Sequence, residues 1–295
     1  MQSFKSVFQF GIFTLTLLLL LFGFSCGDHT PAESESSSQP EENWIPLFNG
    51  KDLTGWDIKV NGQEMNDNYK NTFLVEDGIL KVNYLEYDTF ENKFGHLYYE
   101  KPFSHYKLRL EYRFVGEPVP GTPDYAYWNS GVMLHSQSAA EQELNQPFPV
   151  SIEMQFLGAV ENEERTNGNL ASPGTHVWAH DSLHTNHMLY SNYPAPKGEG
   201  WVSVEAVVLG DSIVHHIVEG DTALTYRKPQ IGGWERPGEN WWVEDKTWVK
   251  QMKGKPLKEG YIALQGEGHG IHFRKVELLD LSESENGSSD TKSSQ

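Results

Sequence analysis

The most constraining stretch of the sequence is Lys107-Leu108-Arg109-Leu110-Glu111-Tyr112-Arg113-Phe114, where charged and apolar side chains alternate without a break. Successive side chains of a strand point to opposite faces, so Leu108, Leu110, Tyr112 and Phe114 share one inward face. The pattern recurs. Phe73-Leu74-Val75 and Ile79 to Val82 flank Glu76-Asp77-Gly78, whose Asp-Gly marks a tight hairpin turn. Ser130 to His135, Ser151 to Leu157, Trp201 to Leu209, Ser212 to Val218, Tyr261 to Gln265 and Ile271 to Leu281 read as further strands, with Gly210-Asp211 a second hairpin signal. No helical period is sustained, and Ala139 to Leu144 has room for a turn or two only. Many short strands with almost no helix predict an all-β fold of two packed layers, a β-sandwich.

Three connections, Gly116 to Asn129, Gly158 to Trp201 and Lys228 to Gly260, are too long to be plain turns. They carry Tyr125, Tyr127, Trp128, Trp178, Trp234, Trp241, Trp242 and Trp248, and nine Trp are the one excess in the composition. Aromatic faces stack on sugar rings and wall binding clefts; the competing account is that they pack the loops onto the sandwich.

The ends of the chain read differently from its middle. Lys5 followed by the nearly all-apolar Val7 to Phe24 is an export signal, and Cys26, the single cysteine, follows it directly as the lipidated residue of a bacterial lipoprotein does. Residues 1–26 are therefore expected to be a lipoprotein signal peptide, which places the mature domain outside the cytoplasm, in the periplasm or at the cell surface, held to the membrane by a lipid anchor alone. Competing readings are an ordinary secretory signal and an uncleaved anchor. Residues 27–43 and 282–295 are Ser- and Glu-rich without apolar periodicity and read as a disordered tether and tail, leaving a folded domain over 44–281. A net charge of −18, from 41 acidic against 23 basic residues, argues against nucleic acid and acidic polysaccharide as partners and favours a neutral ligand.

The chemistry centres on Ser151-Ile152-Glu153-Met154-Gln155-Phe156-Leu157-Gly158. As a strand it turns Ile152, Met154 and Phe156 to one face and Glu153, Gln155 and Leu157 to the other, with the carboxylate and the amide about 7 Å apart. That pair is either a grip on sugar hydroxyls with Glu153 as a general base, or a solvated outer face. Retaining β-sandwich glucanases carry a second carboxylate on the same strand face, and here that series runs Glu153, Gln155, Leu157, so conventional double displacement lacks its partner. No phosphate-cradling Gly-rich loop, Gly-x-Ser-x-Gly elbow or EF-hand loop is present. His176, His180, His184 and His187 would line one face of a helix and could hold a metal, but Pro173-Gly174 and weak helix formers oppose a helix there, so no cofactor is expected.

Trp44 to Trp56 (WIPLFNGKDLTGW) resembles the opening of the 3-keto-disaccharide hydrolase domain family, and later segments follow in order. Phe73 to Leu80 resembles its early hairpin, Tyr106 to Phe114 its charged strand, Asn129-Ser130-Gly131-Val132 its NSG motif, and Ile152-Glu153-Met154-Gln155 its E-x-Q motif. Gly260 to Gln265, His269 and Phe273-Arg274 resemble its closing segment. The resemblance spans 44–281 and implies a concanavalin-like jelly-roll sandwich of two antiparallel sheets. It also implies an enzyme that hydrolyses 3-keto-glycosides by β-elimination and hydration, which needs one base and no carboxylate pair. Carried over, Glu153 would be the base and His269 an acid/base or a donor to the ketone. Gln155 and Gln265 would orient hydroxyls or polarise the keto oxygen. Where the family commonly has Arg and Asp, this chain has His135 and Gly158; His135 is expected to face the cleft, with Trp178 among the substrate-binding aromatics. A lectin-like carbohydrate-binding module on the same fold is the alternative.

Overall fold

The computed structural model describes residues 42–233 and 247–282. Cys26 and the apolar segment 7–24, most of residues 27–43 and 282–295, Trp234, Trp241, Trp242 and the Trp248 side chain lie outside the described residues.

The strands in chain order are β1 (Ile45–Pro46), β2 (Trp56–Val60), β3 (Phe73–Glu76), β4 (Ile79–Val82), β5 (Gly95–Tyr99), β6 (His105–Val115), β7 (Asn129–Ser136), β8 (Ile152–Leu157) and β9 (Asn169–Ala171). They continue with β10 (Thr175–Ala179), β11 (Ser182–His184), β12 (Met188–Leu189), β13 (Val202–Leu209), β14 (Ile213–Val218), β15 (Asp221–Ile231), β16 (Tyr261–Gly266) and β17 (Gly270–Asp280). One sheet runs β11-β10-β15-β14-β13-β6-β17-β4-β3 with β1 beside β17; the other runs β12-β9-β8-β7-β16-β5-β2. The chain forms the expected all-β sandwich of two antiparallel sheets.

Side-chain alternation builds the core. Leu108, Leu110, Tyr112 and Phe114 of β6 and Ile152, Met154 and Phe156 of β8 belong to one buried cluster between the sheets. The Tyr112 and Phe156 rings stack 4.3 Å apart across the interface, and each large side chain so buried contributes about 1.5–3 kcal/mol. The other face of β6 is solvated, where Arg109 pairs with Glu277 at 2.7 Å and Arg274 with Glu111 at 2.5 Å. Such surface pairs add little stability. The other face of β8 is not solvated: Glu153 and Gln155 are both buried. Loops 158–168 and 185–200 rise over that face and turn the outer side of the seven-stranded sheet into a cleft.

Candidate active site on the seven-stranded sheet

The cleft encloses about 930 Å³. Its floor is Glu153, Gln155 and Leu157 of β8, with Asn129 of β7 and Ala171 of β9 beside them. Tyr125, Phe148, Arg165, His187, Tyr190, Asn192, Lys197 and Glu267 stand around it.

Glu267 is the residue that strand parity along β8 does not reveal. It enters from the β16–β17 connection, so a second carboxyl does reach the site, though from another element than the one in which a partner to Glu153 was sought. Burial pushes the Glu267 carboxyl up to about 8. Burial also holds Glu153 well above the ordinary carboxylate range, the Glu267 charge adds to that, and the Gln265 amide beside it offsets part. Two buried carboxyls that each raise the cost of charging the other titrate as a pair and keep a proton between them near neutral pH.

The backbone of β7 makes room for this pair. Met133 is the cross-strand partner of Glu153 and Gly131 that of Gln155. The Glu153 side chain leans along the sheet across Gly131: a β-carbon there would lie 2.3 Å from Oε1. Ser130, next to it, donates from Oγ to the Gln265 carbonyl at 2.8 Å, locking β7 to β16.

Gln155 is aimed by Asn169, its partner on β9. Asn169 Nδ2 donates to Gln155 Oε1 at 3.2 Å and to the Thr166 carbonyl at 2.8 Å, while its Oδ1 accepts from Thr166 Oγ1 at 2.7 Å and the Ser191 amide at 3.0 Å. With Oε1 engaged, Gln155 presents its NH₂ to the cleft. Arg165 Nη1 donates to the carbonyls of Tyr127 and Gly158 at 2.7 and 3.2 Å, holding the segment that carries Tyr125.

Gln265 is fully buried beside Glu153, whereas His269 does not line the cleft. Its Nδ1 donates to the Gly270 carbonyl at 3.1 Å, and its ring packs edge-on against Phe114, Tyr127 and Trp128. Burial lowers its pKa. His135 is also away from the cleft: its Nε2 donates to the Gly210 carbonyl at 3.2 Å and its ring meets Tyr106 edge-on. A positive φ of 49° at His135, beside an irregular β16–β7 register, breaks the alternation that would have turned it outward. Trp178 lies on β10 in the ten-stranded sheet, where Lys228 covers its ring at 5.3 Å. Of the loop aromatics named from sequence, Tyr125 lines the cleft, while Tyr127 and Trp128 stack on one another 5.9 Å apart.

The four spaced histidines form no helix. His176 and His184 sit on β10 and β11, and their Nε2 atoms donate to the carbonyls of Gly233 and Met188, each at 3.0 Å. His180 occupies the turn between those strands and His187 a wall of the cleft. Among the described residues no group of three His, Cys, Asp or Glu is placed to hold a metal ion. Gly158, where the resemblance expects Asp, has no room for a side chain, because a β-carbon would fall 2.3 Å from Cε3 of Trp128.

A β-sandwich whose sheet floor carries paired carboxyls and aimed amides beneath aromatic walls has the build of a carbohydrate-active domain. The chain belongs to the 3-keto-alpha-glucoside-1,2-lyase-like domain family, whose sequence model matches residues 43–279. No curated protein matches the sequence. A crystal structure of an inferred glycosyl hydrolase from Parabacteroides distasonis aligns with TM-score 0.50 at 17% identity, covering 81% of this chain and 100% of that one. A Bacillus subtilis protein of unknown function with a galectin-like fold aligns at 0.44 and 12% identity, covering 81% and 97%. The first of these likenesses bears on the fold alone.

Proposed function

We propose that this domain cleaves 3-keto-glycosides in the cleft by base-initiated β-elimination followed by hydration. The observation that carries the reading is the buried Glu153–Glu267 pair, with the Gln265 amide against it. A ketone at C3 acidifies the C2–H bond. The Glu153 carboxylate takes that proton, and the C–H electrons form a C1=C2 double bond conjugated with the carbonyl. The C1–O bond breaks, and the leaving oxygen keeps its electrons and takes the proton of the Glu267 carboxylic acid. Water then adds across C1=C2, hydroxyl to C1 and proton to C2, so the net change is hydrolysis. Raised pKa values suit both parts: a desolvated carboxylate is a stronger base once it has released its proton, and burial keeps the Glu267 carboxyl protonated at neutral pH.

The test is turnover of a 3-keto-disaccharide by the wild type against Glu153→Gln. Loss of turnover in the variant with binding retained supports the reading. No turnover by wild type, with micromolar binding of plain oligosaccharides, would make the domain a lectin-like binder instead. The apolar segment 7–24 and Cys26 support an exported, lipid-anchored setting. Metabolic labelling with a fatty acid should mark the wild type and not Cys26→Ser, and equal labelling of both would overturn it.

A further inference from the structure

Two neighbouring side chains on the outer face of the seven-stranded sheet hold polar atoms with no hydrogen-bond partner: Nδ1 and Nε2 of His96, and Oε2 of Glu267, which lines the cleft. His96 and Gln265 have no exposed surface. Buried polar side chains are paired in nearly all native folds, and a cluster that is not marks a place where polar groups from outside the chain are received. His96 and Gln265 are cross-strand partners of β5 and β16, so their side chains share the face that carries Glu153. Pairing of Leu264 with Val132 sets Gln265 beside Gly131, over which the Glu153 carboxyl lies. Strands are spaced by about 4.8 Å, so the backbone of Gln265 lies one strand, and that of His96 two strands, from the Gly131 position over which that carboxyl leans. Phe148, a wall of the cleft, touches the His96 ring edge-on at 6.1 Å. On the far side Lys59 pairs with His96 across the strands and spends its ammonium on the Gln63 carbonyl.

We propose that His96, with Gln265, forms the socket for the oxidised carbon of the sugar, donating to the C3 carbonyl oxygen and to the enolate oxygen it becomes. The keto ring then lies across β7, β16 and β5 with C2 over Glu153, and the leaving group points the other way, toward Tyr190 and Lys197. The inference rests on the 3-keto-glycoside reading of this cleft. Desolvation keeps His96 neutral, with its pKa down at about 3. The ring therefore offers one N–H to the carbonyl and one lone pair to a neighbouring hydroxyl, and has no proton to lose to the carboxyl pair.

The experiment compares the wild-type protein with His96→Leu and His96→Asn in three readouts: kcat/KM on a 3-keto-glycoside, exchange of the C2 proton in D₂O, and Tm. Loss of a preorganised donor to a developing oxyanion lowers turnover about 100-fold or more, so the Leu variant should show that loss in kcat/KM and C2 exchange together. Its Tm should hold or rise, because an apolar side chain replaces unpartnered nitrogens. The Asn variant, which restores a donor, should recover about tenfold of the loss. A Leu variant within about threefold of wild type in both rates overturns the socket. So does a Leu variant that loses Tm and activity together with no recovery by Asn, which would make His96 a packing residue. Absence of turnover by the wild type takes this inference down with the reaction itself, and is seen before any variant is made.

Discussion

Gly131 and Glu153 occupy one another's space: a β-carbon on Gly131 would lie 2.3 Å from Oε1, 2.7 Å from Cγ and 2.9 Å from Cδ of Glu153. The constraint is steric, since Gly131 is not among the residues of positive φ. Gly131→Ala therefore keeps the strand and evicts the carboxyl. We expect an overpacking cost of about 1–3 kcal/mol and, as a misplacement of about 1 Å costs on the order of 100-fold, a loss of that size in kcat/KM. Thermal melts and steady-state rates on a 3-keto-disaccharide check it. Activity within threefold of wild type would mean that the leaning geometry is dispensable.

The carboxyl pair makes stability depend on pH with a definite sign. Glu267 rises from an ordinary 4.5 to about 8 in the fold, and Glu153 is raised as well. Between those limits the unfolded chain has released protons that the folded chain retains, so stability is full below about 4.5 and is lost as pH rises toward 8. Glu267→Gln removes the penalty. Its Tm should match wild type near pH 4.5 and exceed it near pH 8, by several degrees for a domain of this size. Because the Glu267 charge is one of the causes that raise Glu153, the ascending limb of the residual kcat/KM profile should also move to lower pH. Equal melting temperatures at both pH values would contradict the coupling.

Asn169 is fully buried and holds Gln155, Thr166 and the Ser191 amide at once. Asn169→Ala leaves those groups short of partners at about 1–3 kcal/mol per group left unsatisfied. It also frees the Gln155 amide to rotate, while Glu153 keeps its place over Gly131. The expected outcome is a lower Tm with KM raised and kcat nearly unchanged at a temperature where the variant is folded. A fall in kcat at constant KM would instead tie Asn169 to the reacting atoms.

Much of the fold could be read from side-chain parity, because β6 and β8 each have one face in the core and chemistry of the other kind opposite. Parity failed where its premise failed. The strand β5 is buried at every residue from Gly95 to Tyr98, so Gly95-His96-Leu97-Tyr98 shows no alternation and His96 left no signal. Glu267 sits between Gly266 and Gly268 in a connection that has no period at all; a lone acid between glycines in the closing hairpin was the available hint. At His135 the register irregularity and the positive φ reset the faces after Leu134. Trp178 belongs to a segment whose sheet membership is decided by pairing with β15, some fifty residues on.

The aromatic rings that remain exposed give the last prediction. Tyr125 and Tyr190, 50% and 66% exposed, stand on the cleft wall, while Trp178, at 39%, is on the opposite sheet. An exposed ring that stacks on a sugar contributes to binding of substrate and transition state alike, so its removal raises KM and spares kcat. Tyr190→Ala and Tyr125→Ala should each raise KM by about 3–10-fold, matching roughly 0.5–1.5 kcal/mol of ring contact. The melting temperature of Tyr190→Ala should stay at the wild-type value, since most of that residue is exposed. Trp178→Ala should leave both kinetic constants unchanged. If Trp178→Ala alone raised KM, the substrate path would have to cross the ten-stranded sheet, and the cleft over Glu153 would lose its claim to be where the sugar binds.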